Sequence, residues 1–245
     1  MLNLPLSILN IKYLKMIKEP TINELKEMGA NIGHIRSFLH PSFKEFVEFI
    51  DNKMIYIDLK KTIEQLIKVK TFLEKEKDSL ILWVGTKIMV KDLIEEIGKN
   101  LDHSYVKERW LGGMLTNFET LKRSLKRFEN LKKEEETKKF KEMTKKEKRI
   151  LIQKREKLEK ILGGLKNLDE LPKIMIIVDP FYEKTAVKEA KKKGVKIIGL
   201  CDVNSDVSKI DMPIPLNDES RDTLKRVLEF LAKIFDKNFS FKNKK

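Results

Sequence analysis

The chain has 245 residues, 41% apolar and 37% charged, with a net charge of +14 and a single cysteine, Cys201. That length and apolar fraction allow a buried core and exclude collagen-like, disordered and disulfide-scaffold classes, while the lone cysteine fits a reducing compartment. No run of 18 apolar residues provides a spanning helix, and the basic balance points to a polyanionic partner, either nucleic acid or an anionic membrane surface.

Met1 to Lys18 mixes apolar residues with Lys12, Lys15 and Lys18. It lacks the Arg/Ser richness of a transit peptide and the cleavage site of a signal peptide, so residues 1–20 read as an N-terminal extension. Thr21 to Glu24 can cap a short helix that runs to Met28 and stops at Gly29. Ala30 to His34, followed by Arg36, reads as an irregular basic loop. His34 and His40 have no Cys or acid at metal spacing, so the loop packs or touches a phosphate.

Lys53–Asp58 reads as a buried strand and Leu59–Lys77 as an amphipathic helix. Ser79–Val84 is a continuously apolar strand, as strands covered on both faces are. Gly85-Thr86-Lys87 turns into a helix that ends at Gly98, and Ser104–Val106 is a short third strand. The alternation resumes after residue 165: a strand at Lys173–Val178, a helix at Thr185–Lys193 stopped by Gly194, and a strand at Val195–Leu200. Met212–Pro215 is an edge strand, where its prolines are tolerated, and Asp218–Phe235 is the closing helix. Strand and helix alternate with short turns, which predicts a doubly wound parallel sheet.

Residues 118–162 break this alternation. Phe118, Leu121, Leu125 and Phe128 have the spacing of a coiled-coil seam, and Phe140, Met143, Ile150, Leu151, Leu158, Ile161 and Leu162 supply a broken partner seam. Glu119–Lys160 carries 17 Lys and Arg against 9 Asp and Glu, a net +8 and more than half of the chain's excess. The expected organisation is a discontinuous α/β domain (21–117 and 163–236), an inserted basic helical hairpin (118–162) and a basic tail (237–245).

Three places invite chemistry. Gly85-Thr86-Lys87 lacks the preceding glycine and spacing of a P-loop, so an ordinary βα turn ranks ahead of a phosphate contact by Lys87. Asp179 and Asp202 fall at strand ends, where a Mg²⁺-dependent phosphoryl or nucleotide-handling enzyme keeps its carboxylates. Turn and cap chemistry explains them as well, and ranks ahead of a structural Mg²⁺. Lys122-Arg123 and Lys126-Arg127 recur four apart on one helical face, directly after Arg109–Asn117, which favours binding to a phosphate backbone. Trp110, Phe118 and Phe128 read as hairpin packing, and Gly112-Gly113 as close backbone packing at the junction. A membrane-surface role for Met1–Lys18 and the lysine-rich hairpin is a rival.

Arg109-Trp110-Leu111-Gly112-Gly113-Met114-Leu115-Thr116-Asn117 is similar to the signature of the small-subunit ribosomal protein "S-two" family in its bacterial and organellar form. Gly29–His34, Val84–Lys87, Leu162–Leu165, Pro172–Val195 and Asp202–Asp206 resemble its other motifs, in order, from about residue 22 to 235. Asn31 and Leu39-His40-Pro41 depart from the family pattern, and the first 20 residues have no counterpart in it. The resemblance implies a flavodoxin-like sheet with a protruding hairpin, no catalysis, and a seat on the small ribosomal subunit of a bacterial cytoplasm or an organelle. It implies ribosomal RNA, neighbouring small-subunit proteins and the large messenger-binding ribosomal protein as partners, with no cofactor, membrane contact or homo-oligomer. The RNA contacts expected on this basis are His34, Arg36, Lys87, Arg109, Asn117, Lys122, Arg123, Lys126 and Arg127.

Overall fold

The computed structural model describes residues 18–135, 137, 140 and 142–242. Most of the N-terminal extension and the last three residues of the basic tail lie outside the described residues. Numbered in chain order, the elements are α1 (Ile22–Glu27), β1 (Ile32–Ile35), β2 (Val47–Asp51), β3 (Met54–Ile57), α2 (Leu59–Lys75), β4 (Ile81–Val84), α3 (Lys91–Leu101) and β5 (Ser104–Val106). They continue with α4 (Phe118–Glu135), α5 (Lys145–Leu162), β6 (Ile174–Val178), α6 (Lys184–Lys193), β7 (Lys196–Cys201), β8 (Met212–Pro215) and α7 (Arg221–Lys233).

The central sheet has the order β5-β4-β6-β7-β8, with every pair parallel. Counted within the sheet this is 2-1-3-4-5, a doubly wound order that reverses between β4 and β6. Because successive side chains alternate faces, Ile81 and Trp83 of β4 enter one core while Leu82 and Val84 enter the other. The first core is closed by α2, α3 and α7. The second is closed by α6, the segment around Trp110–Leu115 and the base of α4. Two covered faces explain why these strands read as unbroken apolar runs.

Lys53–Asp58 forms a strand but does not join this sheet. β3 is the centre of a separate antiparallel sheet, β1-β3-β2, whose outer strands include the residues expected as a loop. Asn52 (φ 45°) and Lys53 (φ 69°) turn β2 into β3 through two left-handed residues, the geometry of a tight hairpin without its usual glycine. β2 is exposed along most of its length, so no burial pattern marks it in the sequence.

Two helix boundaries also differ from expectation. Gly98 lies inside α3 rather than ending it, because a Cβ there would sit 2.1 Å from the Tyr105 ring. Asp102, at φ 54°, ends the helix instead. The closing helix starts at Arg221 with Ser220 as its cap, which leaves Asp218 in the loop at the sheet edge.

α4 and α5 contact one another between β5 and β6, and both of those strands pair with β4. Phe118, Leu121, Leu125 and Phe128 are buried, as their spacing predicts. On α5 only Leu162 is buried, Leu158 and Ile161 are partly so, and Ile150 is exposed. The expected partner seam is therefore fully buried only at the base of the arm, with Phe140, Met143 and Leu151 half-buried farther out. Farther out, Arg155 pairs with Glu135 at 2.7 Å and Lys132 with Glu159 at 3.1 Å.

Candidate nucleic-acid interface

The segment between β5 and α4 is organised by one carboxylate, a position of the Pro172–Val195 motif to which the sequence assigned no role. Glu189 of α6 is only 7% exposed, and both its oxygens point into this segment. Oε1 accepts from Trp110 Nε1 (3.2 Å) and Gly113 N (2.7 Å). Oε2 accepts from Leu115 N (3.0 Å), Thr116 N (3.1 Å) and Thr116 Oγ1 (3.1 Å). Burial raises the Glu189 carboxyl, but these bonds outweigh it and hold the group below the usual carboxylate range. Gly113 is required at φ +92°, which turns its N–H toward Glu189. Gly112 has nothing within 4 Å of a built Cβ, so the expected close packing at this pair is absent. It occurs at Gly164, where a Cβ would lie 2.3 Å from the Tyr105 carbonyl oxygen.

The clamp fixes the start of α4. Asn117 is exposed; its backbone carbonyl accepts from Thr120 N and its Oδ1 from Thr120 Oγ1. Trp110, Phe118 and Phe128 are buried, consistent with packing rather than base stacking. With the apolar residues of α4 turned inward, helical geometry places Lys122, Arg123, Lys126 and Arg127 outward, and all four are exposed, as is Arg109. Lys122 lies over the Phe118 ring at 5.3 Å, and Arg123 reaches back to Thr120 Oγ1 at 3.3 Å. Among the described residues no ion pair neutralises these five cations.

Lys87 and His34 are placed differently from their expected role. Lys87 Nζ lies 2.5 Å from Asp179 Oδ2 and 2.9 Å from Asp218 Oδ1, inside the C-terminal edge of the sheet. Burial opposes its charge, yet the two carboxylates prevail and raise it. One ammonium cannot neutralise both acids: burial and Asp179 push Asp218 up to about 7 against the pull of Lys87. Thr86 is drawn inward as well, donating to the buried Glu183. No helix follows this turn at once, since α3 starts only at Lys91. The charge of Lys87 is thus committed inside the fold and is not free to meet a phosphate.

His34 spans Asp202 (Nδ1 to Oδ2, 2.9 Å) and Glu219 (Nε2 to Oε1, 3.2 Å). A carboxylate beside each ring nitrogen favours the imidazolium. The bond to Asp202 outweighs burial and raises His34 from 6.5 to about 9. The residue ties β1 to the loops after β7 and β8, so it acts as an internal clasp. Arg36, just beyond it, is exposed. Asp179 and Asp202, the metal candidates, therefore face Lys87 and His34 respectively. Among the described residues no group of three or more metal-ligating side chains forms, and no helix is long and apolar enough to cross a membrane.

Against known proteins, the family described as Ribosomal protein S2 matches residues 25–237. The chain is similar to "Small ribosomal subunit protein uS2" of Psychromonas ingrahamii, 36% identical over 214 residues that cover 86% of this chain and 88% of that protein. It is 41% identical to the protein of the same name from Endomicrobium trichonymphae, covering 82% of this chain and 83% of the relative. The corresponding protein of Francisella philomiragia is 36% identical over 217 residues, 88% of this chain and 90% of the relative.

Proposed function

The chain belongs to the ribosomal protein S2 family, and from that premise we propose that it is a structural, non-enzymatic constituent of the small ribosomal subunit that binds ribosomal RNA through the basic base of the α4–α5 arm. The observation that carries the RNA contact is the exposed face Lys122, Arg123, Lys126 and Arg127, unpaired with acids and set at a helix start that Glu189 holds in place. Arg109 and Asn117 extend this surface at the helix start, and Arg36 adds a separate exposed cation. Lys87 and His34 serve the fold instead.

The proposal takes 21–117 and 163–236 as one α/β domain and 118–162 as an inserted coiled-coil hairpin. The pairing of both β5 and β6 with β4 across the arm supports that division. Neighbouring small-subunit proteins and the large messenger-binding ribosomal protein complete the partners, on the ribosome of a bacterial cytoplasm. In this reading no cofactor is bound, and Lys87 faces Asp179 and Asp218 while His34 faces Asp202.

Replacing Arg123 and Arg127 together by Glu tests it. Co-sedimentation of the variant with small subunits at moderate salt is expected to fall by at least about tenfold, with an unchanged far-UV circular dichroism spectrum. Normal assembly of that variant overturns the assignment of this face.

A further inference from the structure

We propose that the cleft beside Phe181, between the turn after β6, the start of α6 and the loop after β7, is a second RNA site that takes one unstacked nucleotide. The inference rests on the RNA-binding reading but uses none of the residues of the arm.

The turn is built to put an aromatic ring outside. Asp179 takes φ 56°, a left-handed conformation uncommon for a residue with a side chain, and its Oδ1 accepts from Tyr182 N at 2.9 Å. Pro180 stays buried, and the two residues after it are carried out of the core, leaving Phe181 57% and Tyr182 62% exposed. One exposed ring is unremarkable, but Phe181 borders a cavity of about 310 Å³ that also includes Lys184, Lys188, Asn204 and His40. Lys184 and Lys188 stand one helical turn apart on α6, and no ion pair neutralises either among the described residues. Asp206, the acid at the rim, is already paired with Lys209 at 2.7 Å.

The contents match the parts of a nucleotide. The Phe181 ring offers a stacking face, which is sequence-tolerant because every base has one. The Asn204 side-chain amide nitrogen has no protein acceptor among the described residues. His40 uses Nδ1 for Ser42 Oγ (2.8 Å), which leaves Nε2 to a ligand. An amide and a ring nitrogen suit the edge of a base, and two unpaired ammonium groups suit its phosphates. The volume is at the small end of ligand pockets, enough for one base and not for a duplex groove.

The test uses the full chain and a fluorescent single-stranded oligoadenylate, with an RNA duplex as control. Phe181→Leu keeps apolar bulk and removes the ring. It is expected to weaken single-strand binding about tenfold while leaving duplex binding and the far-UV spectrum unchanged. Lys184→Gln with Lys188→Gln is expected to lower the slope of log affinity against log salt by about 1.4. Single-strand binding within twofold of wild type in Phe181→Leu overturns the proposal. So does unchanged oligoadenylate binding in a variant whose reconstituted subunits have lost a neighbouring protein, since Phe181 is then a protein contact. A chain that co-sediments with small subunits but ignores oligoadenylate refutes this cleft alone. One that does neither refutes the RNA-binding reading itself.

Discussion

Glu189→Gln is the most informative substitution because it keeps shape and removes charge at the point where five donors converge. A glutamine keeps one carbonyl oxygen, best placed toward Leu115 N, Thr116 N and Thr116 Oγ1, and turns its NH₂ toward Trp110 Nε1 and Gly113 N. Trp110 is buried, so its indole N–H then faces a donor without water to relieve it, at about 1–3 kcal/mol. The half-buried Gly113 N–H can turn to water at lower cost. The three remaining bonds lose their charged acceptor, which makes each roughly half as strong. The sum is about 3–5 kcal/mol, a large part of the stability of an ordinary domain. Urea unfolding is the assay, with an expected drop in midpoint of about 1 M or more. Amide exchange at Gly113, Leu115 and Thr116 separates local opening from global loss. The sign of the pH dependence is set by the lowered carboxyl: its contribution is present above about pH 4.5 and lost as pH falls through the folded value, so the gap between wild type and variant closes in acid. An unchanged midpoint together with unchanged exchange at those three amides refutes the clamp.

Lys87→Met leaves Asp179 and Asp218 buried without their cation and is expected to cost about 3–5 kcal/mol in urea unfolding, partly recovered by adding Asp218→Asn. Because the folded value of His34 lies above its ordinary one, its contribution is complete below pH 6.5 and lost as pH rises through about 9. Stability is expected to fall across that window in wild type and to lose this slope in Asp202→Asn. Gly164→Ala forces a Cβ against the Tyr105 carbonyl and is expected to destabilise by at least about 1–3 kcal/mol, whereas Gly112→Ala, with open space around it, leaves the thermal midpoint nearly unchanged.

By itself the sequence determined what depends on neighbours along the chain. The apolar run at Ile81–Val84 declared a strand covered on both faces, those at Ile174–Val178 and Lys196–Cys201 declared further strands, and Gly194 closed α6 because a φ of +70° is reached most readily by a residue without a Cβ. The spacing of Phe118, Leu121, Leu125 and Phe128 also assigned the opposite face of α4 to Lys122, Arg123, Lys126 and Arg127. What the tertiary structure alone decided is where distant charges meet. Glu189 is marked in sequence only as a position of a family motif, without a role, and its approach to Trp110, some eighty positions earlier, is what makes it the clamp of the interface. Lys87 and His34 read as cations offered to a phosphate, yet Asp179, Asp202, Asp218 and Glu219 arrive from later in the chain and take up their charge. The outer strands of the small sheet stayed hidden for a related reason: β2 buries too little to leave an alternating pattern, and only its pairing with β3 makes it a strand.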